Sequence, residues 1–89
     1  METIYLKIVE EVDIPRLDLE IGRRIYQAIE NKLRTQPFLY GLPLRGKLHK
    51  FWKLRVGDYR IIYTVLKKRI VILAIGHRRD VYNIILKRI

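Results

Sequence analysis

Thirteen of the 19 basic residues in this 89-residue chain lie beyond residue 44, and strand parity sets several of them on one surface. Gly57-Asp58 reads as a two-residue hairpin turn between the apolar runs 51–56 and 59–66. Side chains alternate along a strand, so Lys53, Arg55 and Arg60 share one face, with Arg55 directly opposite Arg60 and Lys53 opposite Ile62. With a three-residue tip at 67–69, Arg60 faces Gly76 in the next strand, and Arg78 continues the same cationic face. Like charges directly opposite one another repel. Either both arginines bend into solvent, or the pair serves an anion. Tyr82, two residues past Asp80 and close to Arg78 and Arg79, adds an aromatic ring at the start of a closing helix.

Other chemistries find little support. His49 and His77 would be needed for a histidine acid–base pair, but two isolated histidines are more often incidental. The second half holds only Asp58 and Asp80 as carboxylates, too few to hold a catalytic metal, so neither metal nor cofactor is expected. No phosphate-cradling glycine motif is present. With no cysteine there is neither disulfide nor thiolate site, and the cytoplasm is the expected setting. The N-terminus has no basic start or long apolar run, and no stretch reaches the roughly 18 apolar residues of a membrane span.

The net charge of +10 is unevenly spread. Residues 1–44 carry six basic against seven acidic side chains, and residues 45–89 carry thirteen against two. Such a field attracts polyanions and destabilises the compact state by self-repulsion, so nucleic acid is the favoured partner. No basic amphipathic helix points to a membrane surface.

These side chains need a frame. An 89-residue chain with 49 % apolar content suits a single folded domain, 1–89. Residues 3–9, rich in β-branched and aromatic types, read as a strand, and 10–15 as a connector disrupted by Asp13 and Pro15. Ile21, Ile25, Ala28, Ile29 and Leu33 recur at helical spacing, which predicts a helix over 19–35 with Asp18 as N-cap and Pro37 beyond its end. Its other face carries Arg23, Arg24, Gln27, Asn31 and Arg34. A loop is expected at 40–46, strands over 51–56, 59–66 and 70–75, and a short helix from Val81. The expected class is α+β: a small antiparallel sheet, made of the N-terminal strand and a three-strand C-terminal meander, packed on the long helix. Trp52, Tyr59 and Tyr63 read as core, together with Val71, Leu73 and Ile75. Ile62, Thr64, Leu66, Ile70, Ile72 and Ala74 are expected on the opposite face, as an apolar patch that something must cover.

Three segments together resemble a known family: Leu44-Arg45-Gly46-Lys47, the run from Trp52 through Gly57-Asp58-Tyr59-Arg60 to Tyr63, and Gly76-His77-Arg78-Arg79-Asp80-Val81-Tyr82. They look like the RelE/ParE toxin superfamily of type II toxin–antitoxin systems, and the ending with Tyr82 looks like its RelE branch. The resemblance implies a metal-independent endoribonuclease that cuts mRNA in the ribosomal decoding site, by attack of a ribose 2′-hydroxyl on the adjacent phosphate. It implies Lys53 as the catalytic lysine, Arg60 as the transition-state arginine, Arg78 as the general acid and Tyr82 as the base-stacking ring. Arg45, Lys47, Lys50, Arg55, His77 and Arg79 are then expected to bind RNA. A lysine set beside arginines that can hold a phosphate is placed to serve as general base. Members often carry a second lysine two positions earlier, where this chain has Phe51; Lys50 or Lys47 would have to substitute.

The resemblance also implies partners: the ribosome and mRNA, and a cognate RelB-like antitoxin in a hetero-oligomer. The antitoxin is expected to lie over Ile62, Thr64, Ile70, Ile72 and Ala74 and to displace the closing helix. Two other readings stay open, a ParE-like inhibitor of DNA gyrase and a non-catalytic basic nucleic-acid-binding module.

Overall fold

A computed structural model describes residues 1–89. The chain runs β1 (Glu2–Tyr5), a helical segment of two turns (Val9–Asp13 and Ile14–Arg16), α1 (Leu19–Ala28) with a π turn at Ile29–Leu33, α2 (Pro37–Tyr40), β2 (Leu42–Pro43), a 3-10 turn (Gly46–Leu48), β3 (Trp52–Val56), β4 (Tyr59–Leu66), β5 (Arg69–His77) and α3 (Val81–Arg88). One five-stranded sheet has the order β1-β5-β4-β3-β2. No helix is long and apolar enough to cross a membrane.

The α+β class, the meander, the long helix and the closing helix stand as expected. The sheet is mixed rather than wholly antiparallel, because β1 pairs parallel with β5. The cause is the route of the chain: it leaves β1 into the helical layer and returns at the far side of the sheet, so β1 docks beside the last strand. β1 is also shorter than the run 3–9. Val9, fully buried, is held in a helical turn by its amide donating to the Leu6 carbonyl at 2.9 Å. Core packing overrides β propensity there, and the expected connector at 10–15 is helical too. Asp18 caps α1, its carboxylate accepting from the Ile21 amide at 2.9 Å. Pro37 follows the long helix and opens α2, while the expected loop at 40–46 contains β2.

Two apolar clusters sandwich the sheet. The larger joins Val9, Ile25, Ile29 and Leu33 to Leu54, Ile61, Tyr63, Ile70, Ile72 and Ile75. The smaller, on the other face, joins Ile62 and Ala74 to Val81 and Ile85 of α3 and to Leu44 and Leu48.

The β4–β5 tip departs from expectation in an instructive way. It has two residues, Lys67 and Lys68, both with positive φ (50° and 63°), and Leu66 pairs with Arg69. A bulge then intervenes: Tyr63 pairs with Ile72 but Ile62 with Ala74, leaving Leu73 as the extra residue. The bulge restores the register expected of a three-residue tip, so Arg60 does face Gly76. Below the bulge, parity is inverted. Ile70 and Ile72 therefore point at the main helix and are fully buried, and Leu73 packs on the α3 side. The expected apolar patch loses Ile70 and Ile72; Ile62 and Ala74 are already covered by α3, while Thr64 is part-buried and Leu66, at the tip, stays exposed.

Candidate active site

The face of β3 and β4 turned away from α1 carries the cations. Arg55 pairs across to Arg60 and Lys53 to Ile62, as strand parity demands. Lys53, Arg55 and Arg60 line one hollow of about 250 Å³, whose remaining wall is Tyr40 and Leu42. The Lys53 ammonium lies 5.7 Å from the centroid of the Tyr82 ring, and its Nζ donates to the Tyr82 Oη at a long 3.5 Å. Thus β3 and the first turn of α3, separated by 29 residues, meet at one point. Tyr82 is half-buried against the Ile62 and Val81 cluster, so its ring has little freedom to leave the lysine.

Of the two opposed arginines, Arg55 is exposed and Arg60 is folded back on the chain. The Arg60 Nη1 donates to the carbonyls of Gly57 at 3.0 Å and Tyr59 at 2.9 Å, which folds its guanidinium back over the hairpin turn. Gly57, with φ of 59°, supplies the left-handed residue that this turn needs. Arg78 reaches the same turn from the end of β5. Its amide donates to the Asp58 carbonyl at 2.7 Å, and its guanidinium stands 3.7 Å from the Asp58 carboxylate. Both side chains of that pair are more than half exposed, so the pairing is weak and exchangeable.

The other candidates do not line the Lys53 hollow, and His77 lines a different one with Asp13, Leu17 and Tyr59. Arg45, Lys47 and Lys50 are exposed around the 3-10 turn, which Leu44 and Leu48 fasten to the α3 face. The two histidines serve different neighbours: the His49 Nδ1 lies 3.1 Å from the Gly46 carbonyl, whereas the His77 Nδ1 accepts from the Arg79 amide at 3.2 Å beside the Tyr59 ring. Arg79 is exposed in the turn that leads to α3. Phe51 packs on the smaller cluster with Leu44 and Leu48. A packing ring therefore occupies the place of the second lysine.

Residues outside the cationic face support it. Tyr63, fully buried, donates its hydroxyl to the Pro37 carbonyl at 2.6 Å and so anchors α2, whose last residue is Tyr40. A Cβ at Gly41 would lie 1.7 Å from that hydroxyl, so only glycine fits beneath the hollow. Burial pushes the Tyr63 phenol up to about 12. On the opposite side, Asp13 and Arg88 form a buried ion pair with contacts of 2.6 and 2.8 Å. Asp13 also accepts from the Ile75 amide at 2.9 Å, and Arg88 donates to the Leu73 carbonyl at 3.0 Å. β1 ends at Tyr5, so this pair satisfies the β5 edge where no strand covers it, and it ties down the end of α3. Asp13, taken from the sequence as a connector residue, gave no signal of this; the only hint was a carboxylate amid apolar neighbours.

A cluster of cations beside an aromatic ring, on one half of a small sheet, is suited to holding a phosphodiester and stacking a base. Comparison with known proteins gives the family of the chain. Residues 4–82 match the family described as ParE toxin of type II toxin–antitoxin systems, parDE. Toxin RelG of Mycobacterium tuberculosis is 31 % identical over 83 residues, spanning 91 % of this chain and 95 % of that protein. The RelBE2 toxin–antitoxin complex of the same organism contains a chain that superposes with a TM-score of 0.79 at 25 % identity, over 86 % of this chain and 96 % of that one. The isolated RelE toxin of E. coli superposes at 0.70 with 18 % identity, over 98 % of this chain and 96 % of that one, a likeness of fold.

Proposed function

Because this chain belongs to the RelE/ParE family of type II toxin–antitoxin toxins, we propose that it is an endoribonuclease that cuts mRNA in the ribosomal decoding site. The observation that carries the reading is the meeting of the Lys53 ammonium with the Tyr82 ring, beside a hollow shared with Arg55 and Arg60. In this reading Tyr82 stacks on a base and fixes the neighbouring ribose. Lys53, once deprotonated, takes the proton of the 2′-hydroxyl. The 2′-oxygen attacks the adjacent phosphorus, and the bond to the 5′-oxygen of the next nucleotide breaks. Arg60 leaves its carbonyl partners for the phosphate, whose extra negative charge in the five-coordinate state exceeds what two neutral acceptors offer. Arg78, loosely held by Asp58, supplies the second cation and, as general acid, gives the leaving 5′-oxygen its proton. The ribosome would supply the orientation that an exposed site of this size lacks.

An antitoxin protein is the regulating partner in this reading, and acidic side chains on it would meet the positive half of the toxin. Ile62 and Ala74 lie under α3, so a partner reaches them by displacing that helix, which also removes Tyr82 from Lys53.

Primer extension on mRNA after induction tests the proposal. Cuts phased with codons are expected from the wild-type chain and none from Arg60→Ala or Arg78→Ala at equal protein level. DNA damage without mRNA cuts would favour the second reading, a gyrase-directed toxin, which the ParE name of the matching family keeps open.

A further inference from the structure

The largest hollow of the molecule, about 420 Å³, lies away from Lys53 and Tyr82, between α1 and the end of β3. Arg24, Gln27, Asn31, Lys32 and Arg55 line it, and no carboxylate does. Arg24, Gln27 and Asn31 recur at steps of three and four residues, so they form one row along the polar face of α1 and its π turn. None of the five ion pairs in the chain uses Arg24, Lys32 or Arg55. The Arg24 guanidinium lies over Gly57, where a Cβ would sit 3.4 Å from its Nη2, so the turn leaves it room. Lys32 is steered by the Tyr40 ring, 5.7 Å from its Nζ. Arg55 also lines the Lys53 hollow, because β2 pairs only with Trp52 and Lys53 and leaves the rest of the β3 edge uncovered.

We propose that this groove binds the sugar–phosphate backbone of a folded nucleic acid, separately from the strand presented to Lys53 and Tyr82. Its lining is a row of hydrogen-bond donors and unpaired cations, which is what phosphate oxygens require. Its apolar lining is confined to Ala28 and Val56, which give an acidic peptide no pocket for an anchoring side chain. Arg55 stands where the two sites meet, so backbone held in the groove would fix the orientation of the molecule towards a strand at Lys53. The groove does not depend on what chemistry Lys53 performs.

The test measures binding of the full chain to a fluorescent blunt-ended RNA hairpin between 50 and 200 mM salt, as a set point for the assay on the order used for such slopes. The variant R24Q/K32Q is expected to bind about tenfold or more weakly at 0.1 M salt, with a log–log salt slope smaller by about 2, the loss of two phosphate contacts. The variant K67Q/K68Q removes the same charge at the other end of β4, about 25 Å away at 3.3 Å per residue, and is expected to change the slope by less than half as much. Equal effects of the two variants would reduce the groove to net charge and overturn the proposal. So would an unchanged R24Q/K32Q, or hairpin binding that is lost in K53A alone. Poly-glutamate that competes in the wild type and fails to bind R24Q/K32Q, with hairpin affinity unaltered, would assign the groove to an acidic protein instead.

Discussion

Replacing Arg88 by methionine removes one half of the Asp13–Arg88 pair and leaves the other half buried. Asp13 is 3 % exposed, and the Ile75 amide would be its one remaining hydrogen-bond donor. Breaking a buried pair from one side costs about 3–5 kcal/mol. A domain of this size has a total stability of about 5–13 kcal/mol, so the loss is roughly a quarter of it or more. At about 4–8 °C per kcal/mol, the melting temperature should fall by at least about 12 °C. A double change, Asp13→Leu with Arg88→Met, removes both charges. It should recover most of the loss, held back by about 1–3 kcal/mol for the orphaned Ile75 amide. Thermal and urea unfolding followed by circular dichroism, arranged as a double-mutant cycle, reads the coupling directly. Because α3 is an eight-residue terminal helix, hydrogen exchange over 81–89 should report its local release in the single mutants. Single mutants within about 0.5 kcal/mol of wild type, with α3 still protected, would refute the argument that this pair holds the helix.

Lys53→Ala should lower mRNA cleavage more than Lys47→Ala or Lys50→Ala, measured on programmed ribosomes, because Lys53 alone of the three touches Tyr82; a crippling His77→Ala with an active Lys53→Ala would reassign the base. Tyr82→Ala should cost about 1–3 kcal/mol of stacking in the same assay, while Tyr82→Phe, which loses only the long 3.5 Å contact, keeps most activity. The Tyr63 phenol is raised to about 12 in the folded chain from its ordinary value of 10, so the folded state prefers it protonated. Its contribution of about 2–3 kcal/mol is fully present below pH 10 and is lost as pH rises from 10 towards 12. Urea unfolding at pH 9 and 11.5 should show a smaller loss for Tyr63→Phe than for wild type, beyond the shared effect of lysine titration.

Local rules were enough for much of this protein. The Gly57-Asp58 turn with strict alternation put Lys53, Arg55 and Arg60 on one face and Arg55 against Arg60, because two-residue hairpins leave register no freedom. The 3.6-residue spacing from Ile21 to Leu33 and the Asp18 cap marked the main helix for the same kind of reason: each signal is complete within one or two turns of chain. The uneven charge is likewise a property of composition and needs no fold. What tertiary structure alone decided involves partners far apart in sequence. The bulge at Leu73 turned Ile70 and Ile72 inward, since a two-residue tip and a fixed upper register can be reconciled only by one unpaired residue. Val9 became helical because a core position, not its β propensity, set its backbone. The contacts of Lys53 with Tyr82, Tyr63 with Pro37, and Asp13 with Arg88 span 29, 26 and 75 residues. Such pairings depend on where whole elements dock, and that is set by burial summed over the two faces of the sheet rather than by any pattern within one segment.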